Sequence, residues 1–176
     1  MHPWHDVPIG DLQPGTVQAV IEIPAGGKAK YELDKKSGLL RLDRVLYSAM
    51  YYPANYGFIP QTLGKDNDPL DILVLSQVNI QPLCMVRAQV IGVMRMVDSG
   101  QADDKIIAVA ADDISVSHLR QPQDLPPHLA SELRNFFQEY KVLEGKQVQV
   151  EGIQGNDVAM PIIQEAIADY RREFPR

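Results

Sequence analysis

Cysteine is nearly absent. Cys84 stands alone in 176 residues, so neither an intramolecular disulfide nor a thiolate metal cage can form. Its neighbours Leu83, Met85 and Val86 give the expectation of a small buried hydrophobe rather than a reactive thiol. Basic charge is also short: 17 Lys and Arg against 23 Asp and Glu leave a net charge of −6. That balance argues against nucleic acid as a partner, because affinity for a phosphate backbone depends on a basic surface. It is compatible with a metal site, where bound divalent cations would locally invert the sign. The uncharged stretch Ile72 to Val86 is broken by Ser76, Gln77, Asn79, Gln81 and Pro82 and cannot span a bilayer, so no membrane partner is expected. The N-terminus Met1-His2-Pro3-Trp4-His5-Asp6 lacks a basic segment followed by an apolar one, which predicts no export signal and a cytoplasmic location. No Gly-x-x-x-x-Gly-Lys-[Ser/Thr] loop is present, which excludes a P-loop nucleotide enzyme. No histidine pair has zinc-ligand spacing, and His2, His5, His118 and His128 are expected at the surface.

What is present reads as one domain over residues 1–176, with 45% apolar and 23% charged residues, near globular averages. The first two thirds are strand-like. Val17 to Ile23 and Lys28 to Leu33 flank the hairpin-like turn signal Pro24-Ala25-Gly26-Gly27, and Leu39 to Leu42, Leu70 to Leu75, Val86 to Val97 and Ile106 to Ala110 follow. Gly92 inside the long run predicts a bulge or bend. Short strands punctuated by Gly and Pro suggest a closed or partly closed barrel. The last third changes period: Leu129, Leu133, Phe136, Phe137, Tyr140 and Leu143 recur at helical spacing between Pro126-Pro127 and Gly145. After a strand-like Gln147 to Val150, a second helical stripe runs through Ile162, Ile163, Ile167, Tyr170 and Phe174. The fold class is α+β, a barrel with two main C-terminal helices packed on it.

The densest chemistry lies in Asp66-Asn67-Asp68-Pro69-Leu70-Asp71-Ile72, with three carboxylates in six residues at the mouth of the apolar run Leu73-Val74-Leu75. Acids this close repel one another and raise each other's pKa unless a cation sits among them. A hard, oxygen-seeking ion such as Mg²⁺ suits them. An Asx-turn at Asp66 or Asn67 would need no metal. An EF-hand is excluded, because counting from Asp66 puts Leu70 at position five, Asp71 at the glycine position and Gln77 at the closing glutamate.

A second acidic group, Asp98, Asp103 and Asp104, lies in a polar hairpin before Lys105, and Glu22 and Glu32 stand among apolar neighbours. Each alone reads as a solvated turn or strand face. Lys30 and Glu32 share a face because the side-chain period of a strand is two. Lys30, Arg44, Lys105 and Lys141 with Tyr56 and Tyr140 add cations and phenols able to bind a compact polyanion. Carboxylate-held metals opposite such a wall describe phosphoryl transfer to water.

The Asp66-to-Ile72 stretch matches the pattern Asp-x-Asp-Pro-hydrophobic-Asp-hydrophobic of soluble family I inorganic pyrophosphatases. Val20 to Pro24, Lys30-Tyr31-Glu32, Leu42-Asp43-Arg44, Tyr52 to Pro60, Asp98 to Lys105 and Phe136 to Lys141 also resemble the family, in its order. The resemblance runs from about Val17 to Val150, continues weakly through the last helix, and is to the short prokaryotic branch.

The resemblance implies an OB-like five-stranded barrel with additional strands and helices, hydrolysing diphosphate to two phosphates with several Mg²⁺ ions; Mn²⁺ or Zn²⁺ are possible substitutes. By position, Asp66, Asp71 and Asp103 would hold a first ion, and Asp71 would reach a second, with the attacking water between the two. Asp98 and Asp103 would receive an ion arriving with substrate. Glu32 would act mostly through water, with Glu22 supporting that outer network. Asp68 would be the general base, with Tyr56 hydrogen-bonded close by. Lys30, Arg44, Tyr140 and Lys141 would bind the phosphates, with Lys105 near the metals. A homohexamer is also implied.

Ser99 follows Asp98 where many bacterial members carry glutamate, so the outer water network is expected to differ. The turn Ala25-Gly26-Gly27-Lys28 is short and glycine-rich. Two other readings suit parts of the pattern: a non-catalytic OB-like module binding structural Ca²⁺ or a polyanion, and a metal phosphohydrolase acting on other phosphoanhydrides. The first has no need for Lys30, Arg44 and Lys141 facing the acids.

Overall fold

The computed structural model describes residues 1–12 and 14–175. Its strands are β1 (Thr16–Ile23), β2 (Ala29–Leu33), β3 (Leu40–Val45), β4 (Asn55–Phe58), β5 (Asp71–Leu75), β6 (Met85–Asp98), β7 (Gln101–Ala102), β8 (Lys105–Ala110) and β9 (Val148–Gln154). Helix α1 (Pro127–Glu139) precedes β9, and α2 (Asn156–Glu173) follows it. The pairings β1–β4, β4–β5, β5–β8, β8–β6 and β6–β1 return to their starting strand. Five strands therefore close a ring, as the family resemblance implied, and β7 and β9 extend it along β6.

Apolar content explains why β5 and β8 are central. Asp-Ile-Leu-Val-Leu and Lys-Ile-Ile-Ala-Val-Ala are near-continuous rather than alternating, the pattern of strands buried on both faces. Ile72, Val74, Ile106 and Ala108 pack into one cluster with Ala159, Ile163 and Ile167 of α2. Their alternates Leu73, Leu75, Ile107 and Val109 pack into another with Leu133, Phe136 and Phe137 of α1. These two strands form the parallel pair of the ring, with Asp71 opposite Lys105 at its start.

The Pro24–Gly27 turn does not close a hairpin. Gly26 N–H donates to Tyr52 O (2.8 Å) and Tyr52 N–H to Gly27 O (2.9 Å). β2 leaves the ring and pairs with β3 as a separate two-stranded sheet. The bulge expected at Gly92 is present, as a register shift between Val90 and Gly92 against β8. Helix α1 ends at Glu139, and Gly145 closes the following short turn with φ 74°; Leu143 is exposed, outside the apolar stripe.

Cys84 corrects its expectation: it is exposed, as are Leu83 and Met85 beside it. The segment crosses the rim of the ring, where Leu83 N–H donates to Ile21 O (2.7 Å) and Ile21 N–H to Cys84 O (3.1 Å). The backbone is held there while the side chains face outward. Among the described residues no helix is long and apolar enough to cross a membrane.

One close approach fixes the ring beside the acidic loop. A Cβ built on Gly57 would lie 2.0 Å from Val20 O and 2.8 Å from Ile21 Cα, both backbone atoms of the partner strand. Gly57→Ala is expected to cost on the order of 3 kcal/mol or more, because relief requires parting β1 from β4. Urea unfolding of the variant, with the midpoint shift read at constant slope, checks this.

Candidate active site

The register places the site. Side chains alternate along a strand, so Asp71 shares the α1-facing side of β5 with Leu73 and Leu75, and Lys105 shares that of β8 with Ile107 and Val109. β4 brings Tyr56 opposite Leu73 on the next strand. The C-terminal end of α1 supplies Tyr140 and Lys141. From the separate sheet, β2 contributes Lys30 and Glu32, two residues apart and so on one face. Asp98 ends β6, and Ser99 and Gly100 turn the chain into β7 with φ of 51° and 81°, the pair of positive angles that a type I′ hairpin turn needs.

These elements converge on a cleft of about 580 Å³ lined by Glu22, Lys30, Glu32, Tyr56, Asp66, Asp68, Asp71, Asp98, Asp103, Lys105, Tyr140 and Lys141. Asp34, Lys35, Lys36 and Arg41 line its outer wall. A smaller cavity of about 150 Å³ shares Asp66, Asp71 and Asp103 from the other side. Of the residues named from sequence, Arg44 alone is missing from the cleft lining. It lies opposite Lys30 in the β2–β3 ladder, but its guanidinium is turned to Asp43 (2.6 Å) and Glu144 (2.8 Å).

The carboxylates are compensated by lysines. Lys105 Nζ lies 2.5 Å from Asp71 Oδ2 and 2.7 Å from Asp103 Oδ1, and donates to the Tyr56 hydroxyl at 3.3 Å. Lys141 pairs with Asp98, Lys30 with Glu32, and Lys35 with Asp68. The Tyr56 hydroxyl thus answers to Lys105 and Asp71, while Asp68 is held by Lys35. With the lysines so placed, no three acidic, histidine or cysteine groups among the described residues are gathered into a metal cage.

The loop carrying Asp66 and Asp68 is pinned at its base. The buried Thr62 hydroxyl donates to Ile59 O (2.6 Å) and accepts from Leu70 N–H (3.0 Å), and Thr62 O accepts from the Trp4 indole (2.8 Å). Lys65 ties it to α2 through Glu165 (2.6 Å) and Asp169 (3.0 Å). Asp66 Oδ1 accepts from Asp68 N–H at 3.1 Å, and Asn67 takes the left-handed conformation at φ 66°. The Asx-turn reading of this stretch is therefore realised alongside its place in the cleft. Ser99, exposed on its turn, donates to Asp98 Oδ1 (3.1 Å).

Burial strains the ionisation of the group. Desolvation lifts Asp71 to about 6 against the pull of Lys105, and lifts Asp66 above the usual carboxylate range. Burial would discharge Lys105, but Asp71 and Asp103 overcome it and push the ammonium well above its ordinary value. Burial also raises the Tyr56 and Tyr140 phenols, so both are neutral donors. Asp98 falls below the ordinary value because Lys141 outweighs its desolvation. The dry surroundings of Glu22, whose Oε1 accepts from Leu33 N–H at 2.7 Å, raise it to about 8.

That last shift makes stability depend on pH. With its folded pKa raised, Glu22 keeps a proton that the unfolded chain releases above about 4.3. Metal-free protein should therefore lose stability from about pH 5 to pH 8, by up to about 1.4 kcal/mol per pH unit from this group. Glu22→Gln preserves the acceptor and removes the slope, so the variant should gain on the parent as pH rises. Urea unfolding in chelator at pH 5.5 and pH 8 checks it, and parallel behaviour of the two proteins would contradict it.

Sequence reasoning missed Lys35 and Asn55. Lys35 reads as half of a solvated Lys-Lys doublet in a turn. Asn55 is fully buried; it accepts from Ala25 N–H (3.0 Å) and Ile80 N–H (2.9 Å) and donates to Val74 O (3.2 Å) and Val78 O (3.1 Å). Such satisfaction of every donor and acceptor fixes the start of the strand carrying Tyr56, and only the fold reveals it.

Comparison with known proteins agrees with the geometry. The family model described as inorganic pyrophosphatase matches residues 19–171. The chain is 51% identical over 169 residues to soluble inorganic pyrophosphatase PPA1 of Solanum tuberosum, covering 96% of this chain and 80% of that one. It is 54% identical over 149 residues to a soluble inorganic pyrophosphatase of Oryza sativa, covering 85% and 70%. The solved inorganic pyrophosphatase of Thermus thermophilus superposes with a TM-score of 0.90 at 41% identity, over 94% of this chain and 97% of that one. That of Helicobacter pylori gives 0.89 at 42%, over 94% and 99%. The match spans the bacterial chains nearly end to end, and this chain belongs to the inorganic pyrophosphatase family.

Proposed function

We propose that this chain, acting as a single pyrophosphatase domain, hydrolyses inorganic diphosphate to two phosphates with Mg²⁺ and with Asp68 as general base. Hydrolysis of diphosphate is the family's activity. The observation that supports the site is the convergence of eight acidic and six basic residues on one cleft. The excess of carboxylates would repel a polyanion, while Lys30, Lys105 and Lys141 would attract one. Hard cations would resolve the conflict, and the donor set fits them, being all oxygen with Asp66 and Asp71 already shifted upward by burial and, to a lesser extent, by neighbouring carboxylates. Asp66, Asp71 and Asp103 would hold a first ion, Asp71 would also reach a second, Asp98 with Asp103 would receive one that enters with substrate, and Glu32 and Glu22 would support the surrounding network. When bound, Mg²⁺ would neutralise phosphate charge and make water acidic enough to act near neutral pH; Mn²⁺ or Zn²⁺ would serve the same oxygens.

The protein's own groups supply the rest. Asp68, half-exposed at the cleft mouth, would take the proton of the attacking water. Lys30, Lys141 and the neutral Tyr56 and Tyr140 hydroxyls would orient the phosphates, and Lys105 would keep Asp71 and Asp103 aligned. Arg44 would turn from Asp43 and Glu144 to give phosphate the forked contact that lysine cannot make. Family resemblance further supports a homohexamer working in the cytoplasm, which sedimentation and fractionation would test.

Initial rates of phosphate release from diphosphate, triphosphate and a nucleoside triphosphate, all with Mg²⁺, test the substrate. Diphosphate should be preferred by kcat/KM; a nucleotide cleaved equally well would overturn the assignment.

A further inference from the structure

Lys35 makes a contact across the cleft mouth that the assignments above leave without a task. It lies in the turn between β2 and β3, on the wall that carries Lys30 and Glu32. Its ammonium pairs with Asp68 and donates to Asn67 O at 3.1 Å, both on the opposite, acidic loop. The backbone of the turn is fixed: Gly38 N–H donates to Asp34 O (2.8 Å), Ser37 N–H to Asp34 Oδ2 (2.9 Å), and the His2 ring is bonded to Lys35 O (3.0 Å). The side chain is free by comparison, with 47% of it exposed against 52% of Asp68, and a pair so exposed is weakly held.

We propose that Lys35 is a substrate-contacting residue: its ammonium leaves Asp68 when diphosphate enters and binds a phosphate oxygen, clamping the substrate between the hairpin and the acidic loop. The inference rests on the diphosphatase reading above. If Asp68 accepts the proton of the attacking water, a long flexible cation paired with Asp68 across the cleft mouth can swing to the phosphate under attack. The Lys35 ammonium occupies Asp68 Oδ1, on the face the attacking water would use, so the pair must open for turnover. A multiply charged anion is the stronger partner for a point charge on a flexible stem. Moving the lysine from carboxylate to phosphate therefore frees the base and holds the substrate in one event.

The test uses full-length Lys35→Met and Lys35→Arg with saturating Mg²⁺. KM and kcat are measured for diphosphate, and calorimetry gives the Kd of methylenediphosphonate, which does not hydrolyse. Circular dichroism confirms that each variant is folded. Lys35→Met is expected to raise KM and the analogue Kd together by about five- to tenfold with kcat within about twofold, and Lys35→Arg to recover most of the loss. A large fall in kcat with KM and Kd unchanged would overturn the proposal, showing that Lys35 acts only through Asp68. No change in any constant would also overturn it, leaving a solvated surface pair. Absence of diphosphate hydrolysis by the parent protein would instead remove the reading beneath it, which the analogue titration distinguishes.

Discussion

Asp68→Asn is expected to lower kcat by roughly 10²–10⁴-fold, the usual contribution of a positioned general base, while Mg²⁺ affinity stays within a few-fold of the parent. Asparagine keeps the shape and one acceptor oxygen but cannot take a proton at working pH. The structural cost should be small. Asp68 is half-exposed and its partner Lys35 is half-exposed too, and surface pairs of this kind are worth about 0–1 kcal/mol. Its backbone N–H bond to Asp66 Oδ1 (3.1 Å) does not depend on the side chain. Steady-state phosphate release, paired with calorimetric Mg²⁺ titration, checks the split. Loss of metal affinity in step with turnover would place Asp68 among the metal ligands.

Asp71→Asn should behave differently on both counts. Asp71 lies at the start of the central parallel pair, beside the buried Lys105 and the Tyr56 hydroxyl. Neutralising it removes the carboxylate assigned to more than one ion, so Mg²⁺ affinity should weaken at least about tenfold, or 1.4 kcal/mol. It also leaves Lys105, whose side chain is only 3% exposed, with Asp103 as its remaining carboxylate partner. Breaking a buried pair outright costs about 3–5 kcal/mol; with one carboxylate retained, a loss of about 1–3 kcal/mol in metal-free stability is expected. Calorimetric titration and urea unfolding in chelator give the two numbers. A variant that bound Mg²⁺ normally and failed only in turnover would exchange the roles of Asp71 and Asp68.

The acidic cluster is legible in the chain because local spacing carries it, whereas the separate roles of Asp68 and Asp71 come only from the family resemblance. Three acids, a proline and an apolar run within ten residues can be read without knowing the fold. The apolar runs at β5 and β8 and the 3.6-residue stripes of α1 and α2 were legible for the same reason. Pairing was not. That β5 lies parallel to β8, setting Asp71 against Lys105, is a consequence of ring closure between segments 34 residues apart. The departure of β2 to pair with β3 is likewise decided by the Gly26, Gly27 and Tyr52 backbone bonds, which no turn signal records. Cys84 departs from its expectation because apolar neighbours indicate burial in a strand but not at a rim. Lys35 carries no signal in the sequence, because a lysine doublet in a turn has no periodicity to mark it. Arg44 is marked in the sequence as one of several cations able to bind a polyanion, but its hold on Asp43 and Glu144 depends on where the turn after α1 comes to rest.

The family sets the reaction, and the cleft makes a stricter demand: its excess of carboxylates must be neutralised before a diphosphate can be bound and attacked. Phosphate release from diphosphate by the folded wild-type protein, followed from chelator into rising Mg²⁺, measures that demand directly. Release should be negligible in chelator and rise with Mg²⁺ over the same range in which calorimetry detects binding. Hydrolysis that proceeds undiminished in chelator, or fails in saturating Mg²⁺ while the fold is intact, would contradict it.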